Sequence, residues 1–236
     1  MNTLGLAPWQ LQMFGRGEGI ADFGAAGDEL LRLQAISEYE ERLLAEGVSL
    51  IAGLDEVGRG PIAGPVVAAA VILPPHCLLP GIKDSKQLSA KKRYQLEPQI
   101  RRAALAWALG AVSAREIDKI NILQATKLAM CRAVAKLPIR PQHLLLDALS
   151  LPLDLPQTSV IKGDALSISI GAASILAKCH RDRMMTVYDG IYPGYGLGGH
   201  AGYPTAEHKR AVWALGYTPI HRRSFKLKPP KTEQKG

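Results

Sequence analysis

The sequence predicts one α/β domain, a mixed central sheet flanked by helices, with a helical part at the C-terminal end. Three observations lead there. Short apolar runs rich in Val, Ile and Leu come early and mix with longer stretches of helical periodicity, which dominate toward the end. A turn rich in Gly and Pro, Gly58 to Pro65, joins the first two apolar runs too tightly for a crossover, so those strands should be antiparallel neighbours. A hydrophobic content of 47% in 236 residues is enough for a sizeable core without staples.

Taken in order, residues 1–27 are irregular and Gly-rich and read as a flexible extension. Asp28–Glu46 has helical periodicity through Leu30, Leu33, Ile36, Tyr39, Leu43 and Leu44, with Asp28 as its cap and Gly47 as its stop; residues 28–48 thus form an N-terminal helix. Ser49–Leu54 is a first strand ending in Asp55-Glu56, and Val66–Leu73 a second. Ser89 opens a basic helix that Pro98 should kink or end. Leu105–Val112 is a third strand. Ser113-Ala-Arg-Glu116 is a capping box opening a long helix to about Leu137. Leu144–Leu149 and Thr158–Lys162 are further strands, Leu166–Tyr188 a long helix, and Thr205 caps a last helix through Trp213. The domain spans residues 49–225, and 226–236 form a basic tail. The order of strands in the sheet is not readable from one sequence.

A net charge of +8 favours an anionic partner, nucleic acid before a membrane surface, although a basic surface kept for solubility explains it as well. Cys77, Cys131 and Cys179 are odd in number and widely spaced, so they read as buried free thiols and not as zinc ligands or a disulfide framework. No run approaches the roughly 20 apolar residues of a membrane span, and no signal peptide is recognisable. We therefore expect a cytoplasmic monomer that does not associate with membranes.

The chemistry is expected at acids. Asp55 and Glu56 end an apolar strand, Asp147 lies within Leu144-Leu-Leu-Asp147-Ala-Leu149, and Asp164 stands where a strand meets a helix. Charges on buried strands are costly unless paired or metal-bound. Salt bridging or helix capping would also account for them, capping especially for Asp164. Several strand-end acids make a hard oxygen site suited to Mg²⁺ or Mn²⁺. In a basic protein that points to phosphodiester chemistry, with two ions about 4 Å apart.

From Gly53 the segment Gly53-Leu-Asp55-Glu56-Val-Gly58-Arg59-Gly60-Pro-Ile-Ala-Gly64-Pro65 closely resembles the signature of the ribonuclease HII family. Asp84-Ser85-Lys86-Gln-Leu88, Leu146-Asp147, Lys162-Gly163-Asp164 with Ala172 to Arg183, and Gly202-Tyr203-Pro-Thr205 with His208 resemble further motifs of that family in the same order. The resemblance covers about residues 50–225. It implies a ribonuclease H-like fold and an endonuclease that cuts the RNA strand of RNA–DNA hybrids. It also implies incision 5′ to single ribonucleotides in duplex DNA, leaving 3′-hydroxyl and 5′-phosphate ends. Asp55, Glu56, Asp147 and Asp164 would hold Mg²⁺ or Mn²⁺, and Gly58-Arg59-Gly60 would read the ribose. Tyr203 would pack on the next deoxyribose, and Ser85, Lys86, Lys178 and Arg181 would contact phosphates.

Glycine permits close backbone approach, and a 2′-hydroxyl both donates and accepts. By themselves the glycines also fit a plain hairpin, Tyr203 a core or surface aromatic, and the cations solvated charges. His200 and His208 could shuttle protons or serve the structure. Ala201 stands where many members carry lysine, and Arg59 together with the short extension favours the HII over the HIII type. Two other function classes fit less well: a hybrid-binding module without catalysis, opposed by the presence of all four acids, and a phosphate-loop NTPase, opposed by the missing Gly-Lys-Ser/Thr after Gly58.

Overall fold

The structure, a computed structural model, describes residues 23–83 and 85–227. The extension expected up to residue 27 therefore lies largely outside the described residues, as do Asp84 and the tail from residue 228. Five strands form one sheet in the order β3-β2-β1-β4-β5: β1 Ile51–Val57, β2 Val66–Ile72, β3 Ala106–Val112, β4 His143–Asp147 and β5 Gln157–Val160. β1, β2 and β3 pair antiparallel, whereas β4 joins β1 in parallel and β5 joins β4 in parallel. The tight Gly58–Pro65 turn dictates the first pairing, and the long excursion between β1 and β4 permits the parallel one.

β2 is buried along its whole length. Val67, Ala69 and Val71 face one helical layer, and Val66, Ala68, Ala70 and Ile72 face the other. The first layer is dominated by α6, Ile168–Ile191, preceded by the single turn α5, Gly163–Leu166. Residues 168–177 of α6 are buried on every side, the mark of a helix sunk into a core. Small residues let it lie flush on β1: a Cβ at Gly53 would stand 2.2 Å from the Ser169 carbonyl carbon. The second layer is α4, Ala114–Ala135, which opens with the predicted capping box: Ser113 Oγ accepts from Glu116 N–H at 3.3 Å, and Glu116 Oε2 accepts from Ser113 N–H at 2.9 Å.

Four elements differ from expectation. The single helix 28–48 is two helices, α1 Phe23–Ala35 and α2 Glu38–Ala45. Ser37 Oγ donates to the Leu33 carbonyl at 2.8 Å at the break, a local bond that competes with the backbone ladder. Asp28 therefore lies inside α1 and caps nothing, while Gly47, at φ +85°, does provide the stop. α3, Ala90–Ala103, runs straight through Pro98. Pro98 and Tyr94, the residue whose carbonyl loses its partner, are on the solvent side, and buried Leu96 and Ile100 hold the helix down. α4 is broken at Asn121 (φ 65°), whose Oδ1 accepts from Leu123 and Gln124 N–H and caps its second half. Cys131 is only half-buried, whereas burial pushes the Cys77 and Cys179 thiols up to about 12.

The C-terminal part packs α7, Leu197–His200, and α8, Ala206–Leu215, against the Gly58–Pro65 loop. Histidines join these pieces. Thr218 N–H donates to His221 Nδ1 at 3.0 Å, so the His221 proton sits on Nε2, 3.1 Å from His208 Nε2. His208 must then carry its proton on Nδ1, which donates to the Tyr203 carbonyl at 2.9 Å. His200 stacks on His208 at 4.3 Å. The chain of bonds works only with neutral rings, so structural service, and not proton shuttling, is the role this geometry supports for His208.

Two expected outcomes follow from this packing. Gly53→Ala should lower stability by about 1–3 kcal/mol, read as a lower denaturant midpoint, because the obstacle is backbone that cannot give way. Burial holds His208 low and His221 down to about 4. Below about 6.5 the unfolded chain takes up protons that the folded one refuses, so stability should fall from pH 6.5 toward pH 4. Melting curves across that range should fall less steeply for His221→Gln than for the parent chain.

Candidate active site

Strand register brings the first acids together. β1 and β4 are parallel with Leu54 opposite Leu146, so Asp55 and Asp147 follow at one level on adjacent strands. Gly53 lies against α6 and Leu145 packs with Ile170 of α6; two residues on, Asp55 and Asp147 point to that same side. Asp55 Oδ1 accepts from Glu56 N–H at 2.7 Å, and its carboxylate also bonds the hydroxyl of Ser174 on α6. Ser174 Oγ in turn shares a 2.7 Å bond with Ser85 Oγ. Burial first, then the charges of Glu56 and Asp147, drives the Asp55 pKa well above the usual carboxylate range.

Glu56 is raised as well, by burial and by Asp147, with the Arg59 guanidinium opposing. Arg59 lies 3.2 Å from Glu56 Oε1, while Glu56 Oε2 is buried with no hydrogen-bond partner. Asp147 Oδ1 accepts from Gly163 N–H at 2.8 Å, which ties the end of β4 to the turn carrying Asp164. Asp164 is buried in α5, with Oδ2 3.6 Å from Lys86 Nζ. Ser167 is the residue that caps α6, accepting from Ile170 N–H, so helix capping does not account for Asp164.

Among the described residues, no three Asp, Glu, His or Cys side chains close around a single point. Each of the four acids instead holds a partner of its own. A divalent ion nonetheless fits the donor set. All the donors are carboxylate oxygens, their charges repel one another, and one buried oxygen is orphaned; a hard cation such as Mg²⁺ or Mn²⁺ answers all three conditions.

Beside the acids lies the loop after β1. Gly58 has φ +94°, and a Cβ there would stand 2.3 Å from Arg181 Nε. Gly60 borders Tyr203, whose ring would be 3.4 Å from an added Cβ; Tyr203 is 44% exposed and thus free to meet a ligand. The expected phosphate contacts fare differently. Arg181 is fully buried, with its guanidinium donating to the carbonyls of Pro65, Ala201 and Ala63 at 2.9, 2.9 and 3.1 Å; here it braces the loop and does not reach solvent. Lys178 is engaged with Asp182 at 2.7 Å, and Ser85 is buried under Asp55 with Ser174. Lys86 reaches outward, its side chain 74% exposed, and lies between Glu56 and Asp164.

Sequence reasoning missed Arg222, which lies in the basic stretch just before the tail. It is fully buried and donates to the carbonyls of Gly58, Arg59 and Gly64. Burial lowers Arg181 to about 10 and Arg222 to about 9, so both stay cationic at neutral pH. An arginine in a basic run gives no local sign that it folds inward.

The ribonuclease HII family profile matches residues 52–228. The chain is 52% identical over 203 residues to a ribonuclease HII of Moorella thermoacetica, covering 86% of this chain and 98% of that protein. Among solved structures, ribonuclease H2 of Pyrococcus horikoshii superposes with a TM-score of 0.63 at 28% identity, over 75% of this chain and 94% of that one. Bst-RNase HIII, solved in complex with Mn²⁺, shares the fold with a TM-score of 0.59 at 22% identity, over 75% of this chain and 67% of that one. Since the matched span takes in all of the sheet but Ile51, all four acids and the glycine loop, the chain belongs to the ribonuclease HII family of metal-dependent endonucleases that act on RNA–DNA hybrids.

Proposed function

We propose that this chain incises the RNA strand of hybrids, and duplex DNA 5′ to a single embedded ribonucleotide, leaving 3′-hydroxyl and 5′-phosphate ends. The observation that carries this reading is the pairing of the carboxylate cluster with the exposed Tyr203 ring set against Gly60. Asp55, Glu56, Asp147 and Asp164 would hold the Mg²⁺ or Mn²⁺ ions. Held there by these carboxylates, divalent ions would supply an acidified water and charge neutralisation at the leaving 3′-oxygen.

The remaining work falls to the chain itself. Gly58 lets the loop turn closely over Arg181, and Gly60 keeps the backbone beside Tyr203 clear of a side chain, so a 2′-hydroxyl can be met by loop backbone groups. Tyr203 supplies a flat face against which a sugar lacking that hydroxyl packs, which makes the step from ribose to deoxyribose the recognised feature. Arg181 and Arg222 hold the loop carbonyls inward from beneath, and the His208 bond to the Tyr203 carbonyl sets the ring's height. Lys86 and Arg59 balance carboxylate charge and lie where a scissile phosphate would enter. The net charge of +8 favours the polyanion, so affinity should weaken with salt.

Asp55→Asn should reduce Mg²⁺-dependent cleavage more than about 100-fold, beyond the usual loss from an outer contact to a metal site, while leaving hybrid binding intact. Unreduced turnover in that variant would remove Asp55 from the site. On a gel, a duplex with one ribonucleotide should be cut 5′ to it and the all-DNA duplex left whole. Tyr203→Ala should narrow the difference between the two, and equal cutting of both by the parent chain would end the ribose-reading role of Gly58 to Gly60.

A further inference from the structure

We propose that Glu40, on helix α2, is a positioning residue for Asp164; the inference rests on the reading of Asp164 as a metal ligand. Glu40 lies before the span matched by the family profile, which starts at residue 52. It is only 8% exposed. Its Oε1 accepts three hydrogen bonds from the other end of the chain: Ser167 Oγ at 2.5 Å, Ser169 Oγ at 2.5 Å and Ser169 N–H at 3.0 Å.

The receiving groups define what Glu40 controls. Ser167 is the N-cap of α6, and its hydroxyl, while donating to Glu40, accepts from Ile170 N–H at 3.2 Å. Ser169 N–H is one of the first-turn donors that a helix leaves unpaired. Glu40 therefore caps α6 from a distant helix, its Oε1 accepting hydrogen bonds at the end of that helix where backbone donors are unpaired. The same first turn is pressed on β1 at Gly53.

Asp164 sits between two tethers. Upstream, Gly163 N–H is bound by Asp147 at 2.8 Å. Downstream, Ser167 N–H closes the turn on the Gly163 carbonyl at 2.8 Å, and Ser167 and Ser169 are held by Glu40. With either tether cut, the turn carrying Asp164 gains freedom relative to Asp147. A stabilising role alone would be better filled by an apolar residue. Glu40 borders a small cavity that Leu44, Ile51 and Ile168 line together with Ser37 and Ser49, and a buried carboxylate with one oxygen lacking a hydrogen-bond partner is a costly way to gain stability. What the acceptor oxygen adds is direction: a fixed point for three donors of one turn.

The test measures Mn²⁺ binding to the full chain by calorimetry, without substrate, at a temperature well below unfolding. Glu40→Ala should weaken Mn²⁺ binding by about tenfold, the loss typical when a group that orients a metal ligand is removed. It should lower kcat on a hybrid while leaving KM unchanged. Glu40→Gln should recover most of both, because its carbonyl oxygen still accepts from Ser169 N–H. In an Asp164→Asn background, Glu40→Ala should cost no further affinity. If Asp164→Asn itself leaves Mn²⁺ binding unchanged, the metal-ligand reading of Asp164 fails. If Asp164→Asn weakens it while folded Glu40→Ala binds Mn²⁺ like the parent, the positioning role fails. Should Glu40→Ala not fold, Ser169→Ala decides, and parental Mn²⁺ affinity in that variant overturns the proposal.

Discussion

Helix α6 lying flush on β1 at Gly53 is the contact on which the other arrangements depend. With no side chain at Gly53, the first turn of α6 reaches the strand backbone. At 1.5 Å per residue the helix then runs for about 24 Å from Ser169 to Met185. Along that length it meets, in order, the Glu40 carboxylate, the Asp55 carboxylate through Ser174, the glycine loop through Arg181, and Gly64 and Gly202 through Met185. One rigid rod thus sets the spacing between the acids and the glycine loop proposed to face the substrate. A helix displaced outward by a single methyl group would loosen each of these contacts together.

Electrostatics divides the site into two halves of opposite character. The acid half is under strain of like charge: Asp55 is buried, Glu56 is partly buried, and both are pushed toward protonation. The loop half holds two buried arginines whose donors go to carbonyl oxygens. Unpaired buried charge is normally expensive, and here carbonyl dipoles supply the compensation. The outcome is a loop backbone held in shape by cations beneath it, next to a carboxylate cluster that a divalent cation would relieve. Both features favour a polyanionic substrate arriving with its metal ions.

Much of this was legible in the sequence, for reasons that act locally. Ser89, Ser113 and Thr205 cap helices because their hydroxyls lie next to the N–H groups they satisfy. The β1–β2 pairing follows from a turn too short for any other connection. Asp55, Glu56, Asp147 and Asp164 stand out because a charge among buried apolar residues needs a reason. Local reading failed where the deciding partner is remote or on the solvent side. Pro98 does not break α3 because its missing bond faces water. Ser37 and Asn121 interrupt helices with side-chain bonds to their own backbone, which periodicity does not register.

The sequence by itself determined which residue types could do the chemistry: acids at strand ends, glycines where a backbone must be approached closely, and capped helices around a strand-rich core. Tertiary structure alone decided which of them act together and which merely hold the frame. Arg181 and Lys178 look like phosphate contacts in sequence and are spent on carbonyls and on Asp182. Arg222 and Glu40 look like surface charges and are buried beneath the loop and the α6 cap. The physical reason is that a charged side chain's role depends on which groups satisfy it after water is removed. Apart from Ala201, 20 residues from Arg181, those groups lie more than a hundred residues away for Arg181, Arg222 and Glu40, where only tertiary packing can bring them.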